Sequence, residues 1–174
     1  MHFFYNLLFI MAAIKWGDWK NWRNYYPTYL FFIAGDLLKN ALLHDYKLWS
    51  YKETIFGSNI LYGHLIIDIM IMLLVYSSTL LIFLGNFPRN RIKQILWILL
   101  WVFLYSLIEF INVKYLNLFE HHHGWNIGWS VVFNIVMFTT LRIHVNRPLL
   151  AWLISILFIA LLWNIFDIPK EVLK

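Results

Sequence analysis

The chain has 174 residues, of which 61% are hydrophobic and only 13% charged, where a soluble domain carries roughly a quarter charged residues. Too few polar residues remain to cover every element, so lipid has to be the solvent, and the length allows one domain without a second. Cysteine is absent, which excludes disulfides, thiolate catalysis and thiolate metal sites, and the net charge of +5 bears on membrane orientation before it suggests nucleic acid.

The first expected element, 2–16, begins with His2 to Ile14, an apolar stretch of 13 residues. At helical rise it covers about 20 Å, short of the roughly 30 Å hydrocarbon core. It either spans with Trp16 and Trp19 in the interface or lies on the membrane, and it lacks the basic start of a cleavable signal. A span follows over 27–43 despite Asp36 and Lys39, and these two are spaced to pair within one helix. The next span, 60–85, carries His64 and Asp68 as i, i+4 neighbours. The basic turn Arg89, Arg91, Lys93 leads into a span over 92–113, with Glu109 its only acid. Further spans are expected over 125–144 and 149–167. The last is the clearest: Leu149 to Phe166 is 18 residues without a charge, opened by Pro148 and closed by Pro169. The expected fold class is all-α, a polytopic transmembrane helical bundle of five or six spans with short loops.

Charge alternates along the connections. The segments 15–26, 86–93 and 142–147 hold eight Lys/Arg, and 44–59 with 114–124 hold three. Basic loops favour the cytoplasm, which puts the first set inside. The C-terminus, with Lys170 and Lys174, then falls outside, mildly against the rule. Tryptophan and tyrosine crowd the segment ends as an interfacial belt does. Arg89, Arg91, Lys93, Arg142 and Arg147 are expected at lipid headgroups, with His144 beside Arg142 at the same interface.

Polar residues inside spans are expensive and face a partner or a water-filled cavity. Gln94, Trp97, Trp101, Tyr105, Glu109 and Asn112 step by three and four, the period of one helix face. Asn126, Ser130 and Asn134 step by four in the following helix. With the orientation above, Asp36 lies near mid-membrane, and His64, Asp68, Glu109, Asn126 and Ser130 fall in the outward half, with Asn134 one step further along its helix. They are candidates for an outward-facing polar pocket, against the plainer reading of interhelical glue. The run Glu120, His121, His122, His123 is a weak metal candidate. Adjacent residues point in different directions, so a solvated interfacial cluster is the favoured reading.

Metalloprotease, nucleophile-elbow, phosphate-loop and dinucleotide motifs are all missing. No cofactor is implied, catalytic residues are unknown, and an enzyme is disfavoured. The first functional expectation is non-enzymatic binding or passage of a cation, proton or small polar solute. The alternatives are a structural or assembly protein of the envelope, and a membrane-embedded enzyme acting on lipid or isoprenoid. The partner is the lipid bilayer, with a homo-oligomer or a membrane protein partner left open and nucleic acid unsupported.

The runs GDWKNW (17–22), YYPTYLFFIAGDLL (25–38), DYKLWSY (45–51), LGNFPR (84–89), ILLWVFLYSLIEF (98–110), GWNIGWS (124–130) and RPLLAW (147–152) resemble an uncharacterised family of small multi-spanning membrane proteins of spore-forming Gram-positive bacteria. The resemblance runs in order over nearly the whole chain. It implies a multi-pass protein of a bacterial cytoplasmic membrane and a bundle of five or six helices, and it implies no activity. Many members of that family carry an acid at the position of Asn134 and lack the triple histidine, so neither position would serve a shared chemistry.

Overall fold

A computed structural model of the chain describes residues 2–51 and 69–169. Helix accounts for 76% of the structure and the only strands among the described residues are two of three residues each, so the class is all-α. In chain order the elements are α1 (His2–Trp16), α2 (Trp22–Leu42), β1 (Trp49–Tyr51), α3 (Ile71–Phe83), α4 (Arg91–Lys114), β2 (Phe119–His121), α5 (Ile127–His144) and α6 (Pro148–Ile165). Three of the helices, α4, α5 and α6, are long and apolar enough to cross a membrane. The helix α2 has the length, 21 residues, but carries Arg23, Asp36 and Lys39. His64 and Asp68, with the first nine residues of the span expected over 60–85, lie outside the described residues.

Local sequence sets the boundaries. Asn90 and Asn126 each turn a side-chain oxygen onto two free N–H groups at the start of α4 and α5, satisfying donors the helix itself cannot. Pro148 begins α6 at the first helical position, where its missing N–H is not needed. The first part of α3, Ile71–Tyr76, is wound as a π-helix before it tightens to α from Ser77. Such wide turns are rare and shift side chains out of the regular register.

The helices run up and down, so their connections gather at two ends. At one end the turn after α1 meets the turn after α3: the N–H of Asp18 donates to the Leu81 carbonyl at 3.1 Å, and the Asn86 amide donates to the Trp16 carbonyl at 2.8 Å. Arg142, near the end of α5, stacks its guanidinium 4.6 Å over Phe87 at this same end. Lys15, Lys20, Arg23, Arg89, Arg91, Lys93 and Arg147 stand exposed around it. The expected alternation of basic connections therefore corresponds to one physical face, here called the basic end. At the opposite end β1 and β2 pair antiparallel, with Trp49 opposite His121 and Tyr51 opposite Phe119. The two weakly charged connections meet in this ribbon.

Between the ends the bundle is packed unevenly. Toward the basic end Phe83 and Phe138 are fully buried and lie 5.1 Å apart edge to face, with Leu80, Leu141 and Trp101 around them. Edge-to-face rings add about 0.5–1.5 kcal/mol per pair beyond their buried area. His144 belongs to this core and not to the headgroup interface expected for it: it shares a 3.0 Å hydrogen bond with Thr28 and stacks 4.3 Å from Phe31. A second cluster, Leu48, Trp125, Leu162, Phe166 and Ile168, fills the ribbon end. The outward faces of α4 and α6 are apolar, with Ile92, Ile95, Phe103, Leu149, Leu153 and Leu157 exposed. Continuous apolar surface of this kind fits a lipid environment.

Two outcomes test the basic end. A methyl at Gly85 would sit 2.5 Å from the Asp18 Cβ, so Gly85→Ala should destabilise the protein by about 1–3 kcal/mol, read as a lower thermal midpoint in detergent. Asp18 accepts from Tyr25 Oη at 2.6 Å and from the Asn21 amide at 2.9 Å, and these bonds hold its carboxyl below the usual range. Its contribution is therefore present above the unfolded carboxyl's value and lost as pH falls through the lowered one. Asp18→Asn should lower the midpoint at about pH 7, and the difference from wild type should shrink as pH falls through the acid range.

Candidate functional site

The polar stripe of α4 faces the interior along its whole length, and its members find partners one by one. The Gln94 amide donates to the Pro88 carbonyl at 3.0 Å, the Trp97 indole donates to the Phe83 carbonyl at 3.0 Å, and Tyr105 Oη shares a 2.6 Å hydrogen bond with Thr79. The indole N–H of Trp101 and the Oδ1 of Asn112 are buried without a hydrogen-bond partner. Buried polar atoms left this way are rare and call for a reason. For Trp101, inside the dense aromatic core, the geometry supplies none. Asn112 borders an open space.

That space is a cavity of about 320 Å³ in the half of the bundle nearer the ribbon. Every described helix contributes to its wall. Gly35 opens it from α2, where an added Cβ would meet nothing within 4 Å. The π-helical turn of α3 delivers Ile71, Val75 and Tyr76. The lining is mostly aliphatic and aromatic, interrupted by a few polar groups. Small-molecule sites have this form: concave, largely apolar, with few polar groups fixing orientation.

The polar groups gather in two clusters under the ribbon. In the first, Lys39 Nζ lies 2.7 Å from Asp36 Oδ1, the pairing expected from the spacing, and 4.9 Å from the centre of the Trp49 ring. In the second, Glu109 Oε1 accepts from His121 Nε2 at 2.7 Å and also from Ser130 Oγ, which in turn accepts from the Trp125 indole at 2.8 Å. The strand register explains why both clusters form at one place. Directly opposed residues of an antiparallel pair project on the same face, so Trp49 over Lys39 and His121 on Glu109 sit side by side. The Trp49 ring thus roofs the cavity, while the imidazole holds Glu109 at its wall.

Of the pocket candidates, Asp36, Glu109, Ser130 and Asn134 all line this cavity. Asn134 also donates to Ser106 Oγ at 3.1 Å, tying α5 to α4. Asn126 does not join them: its side chain is spent on capping α5, accepting from Gly128 N and Trp129 N. His64 and Asp68 fall outside the described residues. The three histidines diverge onto Glu109, Ser50 and the Tyr46 ring, and Glu120 lies opposite Ser50 in the ribbon. Among the described residues no group of three or more His, Asp or Glu could hold a metal ion. The expectation of a solvated histidine cluster is corrected at His121, whose side chain is 14% exposed and turned inward. Trp49 and Trp125, expected only as interfacial belt, turn out to build the roof. The place of Trp49 rests on the pairing of two strands distant in sequence, for which the sequence carries no periodic signal.

Comparison of the chain with protein-family models, with curated proteins and with solved structures finds no match. Because the chain lacks cysteine, single cysteines report access cleanly. In lipid vesicles a cysteine replacing Ile159, on the cavity wall, should react with a water-soluble thiol reagent, and adding Gly35→Leu should slow that reaction. A cysteine replacing Leu161, exposed on the outward face of the same helix, should stay unreactive. Equal rates at the two positions would mean that the cavity holds no water.

Proposed function

We propose that the chain is a non-enzymatic multi-pass protein of a cytoplasmic membrane, a bundle of six spans that holds a small molecule in the cavity beneath the ribbon. The ribbon end faces outward in this reading. What supports that orientation is the gathering of the basic connections on one face, since basic segments favour the cytoplasmic side. The exposed arginines and lysines there would meet lipid headgroups.

The observation that carries the binding reading is the cavity itself: about 320 Å³ of space inside a bundle whose other half is closely packed. Glue between helices needs no such space. Thr79–Tyr105, Ser106–Asn134 and Thr28–His144 are bonds of the glue kind, each worth on average about 0.6 kcal/mol in membrane proteins. They account for the buried hydroxyls of Thr28, Thr79 and Ser106 without accounting for the void. A bare inorganic cation is a poor fit, because Asp36 is already neutralised by Lys39 and the lining is mainly carbon. Hard cations require six or more oxygens. A path through the molecule is disfavoured by the aromatic core toward the basic end, where Phe83 and Phe138 are fully enclosed. The occupant that fits is a molecule with an apolar body and one polar group.

Protein extracted in mild detergent should carry such a molecule, detectable by mass spectrometry of the denatured sample. Gly35→Leu, which projects a side chain into the cavity, should fold with an equal or higher thermal midpoint and lose the molecule. An identical small-molecule profile in the two proteins would sink the reading.

A further inference from the structure

We propose that the molecule held in the cavity is a lipophilic organic cation, one positive charge on an apolar body the size of a single aromatic ring. This rests on the binding reading above and adds the sign of the charge.

The first argument is the charge inventory of the wall. Among the described residues the lining holds two carboxylates, Asp36 and Glu109, and one ammonium, Lys39. Asp36 and Lys39 cancel each other at 2.7 Å. Glu109 is left, hydrogen-bonded by the His121 imidazole and the Ser130 hydroxyl, so the described lining itself carries one more carboxylate than ammonium. On a largely apolar wall such a group interacts strongly with any charge that enters. A cation entering the cavity is attracted, and an anion meets repulsion.

Lys39 shows the same chemistry already in use. Its ammonium lies between a carboxylate and the face of Trp49, 4.9 Å from the ring centre. A carboxylate on one side and an indole face on the other is the arrangement that holds ammonium ligands, through the negative face of the ring quadrupole. Lys39 therefore acts as a tethered occupant of one wall; Glu109 and Trp125 line the same cavity and are joined through the Ser130 hydroxyl.

The unsatisfied Oδ1 of Asn112 is independent of both. It lies one turn beyond Glu109 on α4, buried against the cavity and accepting nothing. An acceptor without a donor adds negative potential where a cation would sit, and would become satisfied if the cation carries an N–H. Size sets the remaining limit. About 320 Å³ is at the low end for small-molecule sites, so a two-chain lipid is excluded and a single-ring ammonium fits.

Three probes of matched shape separate the possibilities in purified protein in micelles, with the ten tryptophans as fluorescent reporter and titration calorimetry alongside. Benzyltrimethylammonium carries the charge, neopentylbenzene is its neutral carbon isostere, and benzylsulfonate reverses the sign. The cation should bind at least about tenfold more tightly than the neutral isostere, and the sulfonate should not bind. Glu109→Gln should weaken the cation and leave the neutral probe unchanged. Lys39→Met frees Asp36 and Trp49 and should tighten the cation several-fold; it decides the matter if Glu109→Gln fails to fold. Equal binding of cation and neutral isostere, or preference for the sulfonate, would overturn the cationic assignment and leave the cavity reading standing. No binding of any probe, with wild type and Gly35→Leu alike, would overturn both.

Discussion

Glu109 Oε1 receives two donors from two different parts of the chain, and the ribbon half of the molecule is organised around that atom. His121 reaches it from β2 and Ser130 from α5, while Glu109 itself belongs to α4. In a low-dielectric interior a carboxylate with charge-assisted bonds is held far more firmly than one in water. A strand that would otherwise be a loose surface loop is thereby fixed against a helix. With β2 fixed, β1 has a partner, Trp49 has a position, and the cavity acquires a roof.

The two halves of the bundle solve the same packing problem differently. Toward the basic end, large rings fill the space between α3, α4 and α5, and turn-to-turn hydrogen bonds close the end. Toward the ribbon, Gly35 withholds a side chain and the π-helical stretch of α3 shifts side chains off the regular register. Interiors are ordinarily packed to crystal-like density, and a void forfeits contact energy on every wall that faces it. That the void coincides with the only described carboxylates between the two ends is the strongest reason to connect it with binding.

Much of this was legible in the sequence, and the division between legible and hidden follows from the range of each interaction. The stripe from Gln94 to Asn112 is periodic, so its shared face could be read directly, and the structure turns that face inward. The Asp36–Lys39 pair is local and forms as spaced. The clustering of Asp36, Glu109, Ser130 and Asn134 followed from depth arithmetic along helices. Asn126 kept the same period as Ser130 and Asn134 but stands at the helix start, where an asparagine side chain is worth more to free N–H groups than to a pocket. His144 looked interfacial because Arg142 is near it in sequence; its partners, Thr28 and Phe31, come from α2. The ribbon was hidden altogether, since three-residue strands are too short to show an alternating pattern.

That brevity has a consequence for how the site behaves as a unit. Strand pairing has a period of two, so sliding β1 by a single residue against β2 inverts every side chain it carries. Trp49 would leave the Lys39 ammonium and face away from the cavity, and Ser50 would come to stand opposite His121 in its place. The two polar clusters therefore differ in what they need: the Lys39–Trp49 contact exists only in the observed register, whereas Glu109–His121 needs only β2. The ribbon thus acts as a register gauge: the cavity has its Trp49 ceiling only in the alignment that sets Trp49 opposite His121.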